Sequence, residues 1–468
     1  MSFLDREHSV APPGYNRWLV PPAALALHLS IGQIYAYSVF NKPLADHGGW
    51  SLLALGVIFQ IALAMLGASA AIFGKWVERV GPRRTMFTAA LFFGGGFLVA
   101  ALGVATKQLW LIYLGNGVLG GIGLGLGYIS PVSTLIKWFP DRPGVATGMA
   151  IMGFGGGAMI ASPLSVIMMN NFGGGVPANG ITQTFVVLGL VYFVFMMFGA
   201  FTIRVPRPGW APAGYDVNSA NAPGHGMITR ANVAVDTAMR TPQFWLLFAV
   251  LFLNVTAGIG ILGQASVMIQ EMFSDTTGGR TAVSAAAAAG FVGLLSLFNM
   301  GGRFFWSSLS DRIGRKTTYA IFFSLGAILY FLIPITGNIG NVALFVIASA
   351  IILTMYGGGF ATIPAYLRDM FGTMNVGAIH GRLLLAWSAA AIVGPYLVNG
   401  LRQSQIDAGV PPAEAYNLTM LIMVGLLVVG FICNLLIRPV DPKFHYNEAN
   451  TAPGLPGAAS TATRTSGD

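Results

Sequence analysis

The sequence predicts an all-α membrane protein with twelve transmembrane helices, divided six and six. Three observations lead to this prediction. The 468-residue chain is 55% hydrophobic and only 9% charged, whereas soluble proteins carry about 25% charged residues. Apolar runs of about 18 residues or more recur along it, each long enough to span a bilayer as a helix. Lys and Arg residues concentrate on alternate connections between these runs.

The apolar runs set the expected organisation of the chain. They cover residues 17–43, 52–74, 85–106, 109–135, 144–169, 181–204, 243–270, 283–308, 317–336, 341–365, 379–400 and 415–437. We expect a short N-terminal segment, a first six-helix group, a polar linker, a second six-helix group, and a disordered tail rich in Pro, Gly, Ala and Thr. These five parts correspond to residues 1–16, 17–204, 205–241, 243–437 and 439–468.

The distribution of basic residues predicts the topology. Of the 25 Lys and Arg residues, 19 lie on the side that also holds both termini. Four lie on the other side and two, Arg303 and Arg382, lie within apolar runs. By the positive-inside rule, we expect a multi-pass protein of the inner (plasma) membrane with both termini in the cytoplasm. The net charge of +9 therefore indicates topology and not a nucleic-acid partner.

Several site classes find no support in the sequence. Cys433 is the single cysteine, so neither an intrachain disulfide nor a cysteine metal site is expected. The glycine-rich stretch 148–164 lacks the Lys-Ser/Thr that follows in a phosphate loop, so close helix packing is the better interpretation. We expect no metal, no cofactor and no enzymatic activity, because no HExxH motif or comparable catalytic set is present.

Arg303 is the most informative residue of the chain. It is the only charge between Arg280 and Asp311, and it lies eight residues before Asp311, roughly 12 Å along a helix. A charge at that depth costs about 3 kcal/mol on insertion scales, so it usually faces a polar cavity and binds a counter-ion. The alternatives are an arginine that extends to the interface or pairs with a buried carboxylate. Asn299, one turn earlier, is expected to bind substrate, orient Arg303, or bridge two helices.

A charged motif recurs in both halves of the chain. Glu78, Arg79 and Arg83 follow the second apolar run, and Asp311, Arg312 and Arg315 follow the eighth. Each motif combines an acid at a helix end, basic residues and a turn glycine. The acid can pair with a loop arginine or with the N-terminal dipole of a neighbouring helix. We therefore predict a latch that holds one conformation; the alternative is an ordinary basic loop.

This motif and the twelve-run layout resemble the major facilitator superfamily over nearly the whole chain. The match is imperfect, because Glu78 stands where that family usually has Asp and Ser307 where it has the first Gly of the motif. The resemblance implies two six-helix bundles that rock about a central site.

Three other stretches resemble the oxalate/formate antiporter family and the related monocarboxylate transporters. They are GQIYAYSVFNKPL (32–44), GYISPVSTLIKWFPDRPGVATGMAIMGFGGG (127–157) and NMGGRFFWSSLSDRIGRK (299–316). The resemblance implies that Arg303 binds a substrate carboxylate. Oxalate transporters of that family add a lysine in the eleventh run, whereas this chain has Trp387-Ser388 and no lysine there. One fixed cation suits a monoanion better than a dianion.

Aromatic residues with polar tips complete the predicted site. Tyr35, Tyr128, Tyr356 and Trp387 can donate hydrogen bonds to a carboxylate and exclude water, although interhelical packing is the better interpretation for any one of them taken alone. His28 lies deep in the first run and is the candidate for proton coupling, or else a neutral histidine bonded to another helix. His380 and Arg382 begin the eleventh run and are expected to reach the cytoplasmic interface.

The sequence therefore favours a secondary transporter of small organic anions that works by alternating access. A monocarboxylate of the lactate, pyruvate or formate type is the preferred substrate. An oxalate/formate exchanger is the nearest alternative, and a ligand sensor on a transporter scaffold is an alternative of another class. The expected partners are a small carboxylate, a co-transported proton and membrane lipid, and the chain is expected to be a monomer.

Overall fold

Long helices make up almost all of the described structure. The computed structural model describes residues 3–215, 227–229, 231–274 and 282–446. Within these ranges, the one β-type pairing is an isolated bridge between Val10 and Val205.

Twelve long helices, here numbered α1 to α12, correspond to the twelve apolar runs. In the first half they are α1 (Arg17–Gly48), α2 (Leu52–Val80), α3 (Pro82–Ala105), α4 (Leu109–Trp138), α5 (Pro143–Phe172) and α6 (Pro177–Thr202). In the second half they are α7 (Pro242–Met272), α8 (Ala285–Ile313), α9 (Arg315–Asn338), α10 (Val342–Phe371), α11 (Val376–Asp407) and α12 (Asn417–Leu436).

Eleven of these helices, counted over the described residues, are long and apolar enough to cross a membrane. The twelfth is α8, which has 29 residues and carries Asn299 and Arg303. Most helices also extend a few residues past their apolar runs, because polar ends can continue the helical hydrogen bonding beyond the apolar core.

Three of the long helices are interrupted. In α1, a 3-10 segment over Gly32–Phe40 separates Pro21–Ile31 from Asn41–Gly48. In α4, a π-helical turn covers Tyr113–Leu119. In α11, Val376–Leu383 is followed by a break at Leu384. Such interruptions often occur at functional sites, and those of α1 and α11 lie close to Tyr35 and Trp387.

Two pairs of helices join the first half to the second. Helix α5 packs against α8 so closely that a Cβ on Gly144 would lie 2.0 Å from the carbonyl oxygen of Ser307. Helix α2 packs against α11, where a Cβ on Gly74 would lie 2.9 Å from the Cα of Ala378. Glycine is required at these two positions because the backbones themselves are in contact.

The connecting segments are only partly covered by the structure. The predicted linker includes a short helix over Val235–Ala238, but residues 216–226 and residue 230 lie outside the described ranges. The predicted disordered tail starts with a 3-10 turn over Pro442–Phe444, and the amide of Tyr446 donates to the carbonyl of Asn232. The remaining part of that tail, residues 447–468, lies outside the described ranges, so the prediction of disorder stays untested there.

Candidate functional site

Arg303 lies at the contact between the two halves, with 0% of its surface exposed. Its Nε donates to Asn299 Oδ1 one turn earlier, at 3.2 Å, and its Nη1 donates across the interface to the carbonyl of Ile151 on α5, at 3.4 Å. Its Nη2 has no hydrogen-bond partner among the described residues, and none of their carboxylates forms a salt bridge with it. The expected alternatives, an interfacial arginine or one paired with a carboxylate, do not describe this geometry.

Six aromatic side chains surround this guanidinium, and we call them the aromatic cluster. The guanidinium carbon lies 5.6 Å from the ring centre of Phe154 and 5.2 Å from that of Phe360. Both distances allow cation–π attraction, which partly offsets the loss of hydration. The cluster consists of Tyr35, Tyr128, Phe154, Tyr356, Phe360 and Trp387.

The cluster draws its members from both halves of the chain. Tyr35, Tyr128 and Phe154 come from α1, α4 and α5, and the other three come from α10 and α11. Across the interface, the hydroxyls of Tyr35 and Tyr356 lie 3.3 Å apart, and the rings of Phe154 and Trp387 lie 5.4 Å apart. The structure therefore brings together all of the residues that the sequence predicted to bind substrate, although most of them are far apart in the chain. They are Tyr35, Tyr128, Asn299, Arg303, Tyr356 and Trp387.

Three buried hydrogen-bond donors in this region have no partner among the described residues. They are the Arg303 Nη2, the Tyr128 hydroxyl and the Trp387 Nε1. Arg303 is also close enough to interact electrostatically with the hydroxyls of Tyr35 and Tyr128. An unsatisfied buried donor costs about 1–3 kcal/mol. The region therefore combines a cation with free donors, which is the chemistry that an anion with oxygen acceptors needs.

His28 is fully buried and lies beside this group. Its Nδ1 pairs with the carbonyl of Ala24 at 3.0 Å, which is the local contact of a helical histidine, and its Nε2 has no partner. Its ring centre lies 5.5 Å from that of Tyr128. The ring also interacts with the backbone of Tyr128 on α4, so the expected alternative, a bond to another helix, stays a prediction.

His380 and Arg382 differ from each other in position, and the expectation for His380 is wrong. Arg382 is partly exposed and pairs with Asp236 at 2.7 Å, as an interfacial residue does. His380, by contrast, is 1% exposed and packs against Tyr128 with ring centres 5.7 Å apart. The reason is that α2 and α11 pack backbone to backbone at Gly74 and Gly381, which buries the first turns of α11.

Sequence reasoning missed three residues of this site, namely Phe154, Phe360 and His380. The two phenylalanines carry no polar group, so they cannot be distinguished from lipid-facing residues in an apolar run. A sequence signal did exist, because each lies within a glycine run, GFGGG or GGGFAT, that permits close helix approach. A Cβ on Gly155, for example, would lie 2.9 Å from Arg303 Nε.

The two predicted latches lie at one end of the molecule, here called the latch end. Asp311 accepts hydrogen bonds from the amides of Gly144 and Val145, at 2.8 and 2.9 Å, in the first turn of α5. Glu78 accepts one from the amide of Gly377 at 3.1 Å, in the first turn of α11. Neither α5 nor α11 has a side-chain N-cap of its own. Each acid therefore satisfies orphan donors of a helix in the opposite half.

The basic residues of the two latches do not occupy equivalent positions. Arg315 pairs with Asp311 at 2.5 Å and with Asp369 at 3.1 Å. Arg83 instead donates to the carbonyl of Phe3 at 2.9 Å, so it holds the N-terminal segment and does not contact Glu78. Arg79 and Arg312 are both exposed. The expected pairing of the acid with a loop arginine thus applies to the second latch only.

The described residues contain no group of three or more His, Cys, Asp or Glu side chains that could hold a metal ion. The polar atoms near Arg303 are mostly hydrogen-bond donors, and donors bind an anion rather than a metal ion.

Comparison with proteins of known sequence shows similarity to carboxylate carriers. The oxalate:formate antiporter of Oxalobacter formigenes is 29% identical over 385 residues, which cover 81% of this chain and 83% of that protein. Apicoplast pyruvate carrier 1 of Toxoplasma gondii is 25% identical over 79% of this chain and 72% of its own length. Human monocarboxylate transporter 11 is 24% identical over 85% and 79%, respectively.

Solved structures show the same fold. FucP, a major facilitator transporter in an outward conformation, matches with a TM-score of 0.63 at 14% identity over 90% of this chain and 99% of that one. An outward-facing bacterial homologue of ferroportin gives 0.63 at 13% identity over 89% and 98%. The predicted fold class of twelve helices in two six-helix bundles is thereby confirmed. A Major Facilitator Superfamily model matches residues 23–395 and 302–464, and the chain is a multi-pass membrane protein that belongs to that superfamily.

Proposed function

We propose that this protein is a secondary transporter of small organic anions, most readily a monocarboxylate of the lactate, pyruvate or formate type. The observation that carries the proposal is Arg303, a fully buried guanidinium without a carboxylate partner among the described residues. Burying an unpaired charge is costly, so its retention between the bundles calls for a mobile counter-ion. The names of the relatives, which include an oxalate:formate antiporter and a pyruvate carrier, agree with that interpretation.

The substrate carboxylate would bind to the guanidinium fork. Arg303 presents Nη2 as a free donor, and the weak Nη1 contact with Ile151 at 3.4 Å can be exchanged for a charge-assisted bond. Asn299 holds Nε and fixes the plane of the fork. Tyr128 and Trp387 supply further donors, and Tyr35 and Tyr356 contribute hydroxyls for a second oxygen of the substrate, such as a hydroxyl or keto group.

Anion binding would couple to alternating access through charge neutralisation. An empty site leaves the cation of Arg303 unpaired whenever the bundles close over it. A bound carboxylate removes that penalty, so the free energy of the closed states falls relative to the open ones. The two latches hold the latch end closed, and opening that end requires both acids to leave their helix N-termini.

Other features of the proposal rest on charge and chemistry. With one fixed cation and no lysine in α11, a monoanion is favoured over a dianion. An oxalate/formate exchanger stays the second candidate because of the oxalate:formate antiporter among the relatives.

His28 is the candidate for proton coupling. The distribution of basic residues supports placement in the inner membrane with both termini in the cytoplasm, and a monomer embedded in lipid is sufficient for the mechanism.

The first experiment replaces Arg303 in proteoliposomes loaded with the purified protein. We expect Arg303→Met to reduce uptake of labelled lactate, pyruvate and formate by about thirtyfold or more, because truncating one partner of a buried charge pair costs about 2–5 kcal/mol. Arg303→Lys should recover only part of the rate, since an ammonium lacks the planar fork. The melting temperature of empty Arg303→Met should not fall, because the variant removes an unpaired buried charge.

The matched control is Arg84→Ala. Arg84 lies at the latch end, and 51% of its side chain is exposed. It should leave uptake and melting temperature unchanged. Normal uptake by Arg303→Met would refute the proposed site. Binding of carboxylates by the wild type without any flux would instead indicate a ligand sensor.

A further inference from the structure

His380 is a buried histidine to which the proposed mechanism gives no role. Only 1% of its surface is exposed, and neither of its ring nitrogens has a hydrogen-bond partner among the described residues. It lies three residues after Gly377, whose amide binds Glu78. Its ring packs against Tyr128, which belongs to the aromatic cluster around Arg303. His380 therefore lies between the Arg303 region and the latch end. An imidazole whose two nitrogens are unsatisfied is costly to bury, and a packing role would not require it.

His28 and His380 both pack against Tyr128. The ring centre of Tyr128 is 5.5 Å from that of His28 and 5.7 Å from that of His380. The two histidines belong to opposite halves of the chain and interact electrostatically with each other, and His28 also interacts with Arg303. Tyr128 therefore joins two buried histidines to the anion region, and three ring nitrogens of the two histidines have no partner.

The charged groups on the surrounding helices leave this pair without a carboxylate of its own. Tyr128 and Arg303 face His28. Near His380, the acids of the neighbouring elements are engaged elsewhere: Glu78 with Lys137, and Asp236 with Lys75 and Arg382. On α10, Asp369 is paired with Arg315 and Arg368. A proton taken up by either histidine therefore depends for its compensation on a ligand bound at Arg303.

We propose that His28 and His380 form a proton-binding pair that supplies a second positive charge within reach of Arg303. The neutral pair favours a monoanion, and the protonated pair favours a dianion. The proton comes from solution and binds to one of the three unpartnered ring nitrogens. This inference rests on the proposed function and refines it in two ways. It assigns the charge class of the substrate to the protonation state of two residues, and it confines proton coupling through His28 to dianionic substrates.

The physical reason is linkage between the two binding events. In the empty site, a histidinium would add a second uncompensated cation next to Arg303, and both burial and like-charge repulsion oppose it. One monoanion neutralises Arg303 and leaves no charge for a histidinium. A dianion leaves one negative charge in excess, which favours protonation of the pair. By reciprocity, protonation strengthens dianion binding by the same factor.

Binding of oxalate and of formate to the purified full-length protein tests the inference. Both ligands stay ionised between about pH 6 and about pH 7.5, so a change of affinity across this range reports on the protein and not on the ligands. We expect oxalate binding to tighten on acidification, with a limit of about tenfold per pH unit for one coupled proton. Formate affinity should change by less than about twofold. In weakly buffered solution, oxalate should cause uptake of up to one proton per protein, read from a pH indicator dye, and formate should cause none.

The double variant His28→Gln/His380→Gln should lose the pH dependence of oxalate binding and the proton uptake that oxalate causes. His47→Gln is the matched control, because His47 is a half-buried histidine that contacts the Val104 carbonyl, far from this region. Oxalate binding without proton uptake by the wild type, or unchanged pH dependence in the double variant, would overturn the inference. The proton-uptake measurement needs no variant, so it does not depend on how well the double variant folds. Failure of the wild type to bind either anion would refute the proposed function itself.

Discussion

The two latches occupy corresponding positions in the two halves but hold their partner helices with unequal strength. Asp311 at the end of α8 accepts two amides of α5 and pairs with Arg315. Glu78 at the end of α2 accepts one amide of α11 and pairs with Lys137 from α4. The side chain of Arg315 is 6% exposed and that of Lys137 is 25% exposed, so the Asp311 latch is also the better shielded from water.

One residue accounts for much of this difference. The position four residues after Asp311 is Arg315, the first residue of α9, which reaches back across the turn at Gly314 to the acid. The position four residues after Glu78 is Pro82, which has no charge, so the balancing cation comes from the neighbouring helix α4. Arg315 is in turn fixed by Asp369 on α10, and this connects the second latch to the core of its bundle. We therefore expect the same motif to give a more rigid contact at Asp311 and a more exchangeable contact at Glu78.

The largest effect is expected for Asp311→Asn. It removes the charge that binds two amides and leaves the buried Arg315 with Asp369 as its remaining carboxylate partner. Since unsatisfied buried donors cost about 1–3 kcal/mol, hydrogen exchange of the α5 first turn should accelerate about ten- to hundredfold. Mass spectrometry of deuterium uptake over residues 143–147 measures this change. Unaltered protection there would show that Asp311 does not hold α5.

An intermediate effect is expected for Glu78→Gln. The amide oxygen can still accept from Gly377 and Ser133, so mainly the ion pair with Lys137 is lost. Exchange over residues 376–380 should accelerate about two- to tenfold, in line with a net contribution of about 0.5–1.5 kcal/mol. Residues 143–147 serve as the internal control for this variant. A larger change at α11 in Glu78→Gln than at α5 in Asp311→Asn would reverse the proposed order of the two latches.

The smallest effect is expected from Asp236, which adds a link on the Glu78 side. Lys75 of α2 and Arg382 of α11 both pair with it, and they hold the pKa of this carboxyl below its usual value of 3.8, Lys75 having the larger effect. A lowered pKa means that the contribution is present above about pH 4 and is lost as the pH falls through the folded-state pKa. Because 61% of this side chain is exposed, solvent screens both pairs.

Asp236→Asn should therefore lower the melting temperature by about 1–2 °C at neutral pH. The difference from the wild type should begin to shrink below about pH 3.8, vanish below the lowered folded-state pKa, and also shrink at high salt. A difference that grows on acidification would contradict the assigned sign.

The apolar runs predicted the helices because twenty consecutive apolar residues have few alternatives in a membrane protein. Arg303 stood out for the same reason, since a single charge in such a run is costly and rarely incidental. Polar-tipped residues near it were identifiable as well, because Tyr and Trp carry groups that need partners. Phe154 and Phe360 were not identifiable, because an apolar ring that faces an interior cation has the same composition as one that faces lipid.

The sequence also did not show which helix each latch acid contacts. The motif itself showed that each half ends a helix with an acid and a turn glycine, and Gly81 and Gly314 do adopt positive φ values of 84° and 87°. Which helix each acid would contact depends on how α2 meets α11 and how α8 meets α5. His380 illustrates the same limit: it begins an apolar run and would be interfacial on a lone helix, but the contact between α2 and α11 buries it.

By itself, the sequence determined the family, the number of helices, the topology signal in the basic residues and the arginine inside the eighth apolar run, because these follow from the cost of placing polar groups in a bilayer. Only the tertiary structure decided that residues from six helices meet around Arg303, that each latch caps a helix of the opposite half, and that two histidines share one tyrosine. These are contacts between helices that are separated along the chain. Their geometry depends on backbone packing between bundles, which leaves no periodic pattern along the chain.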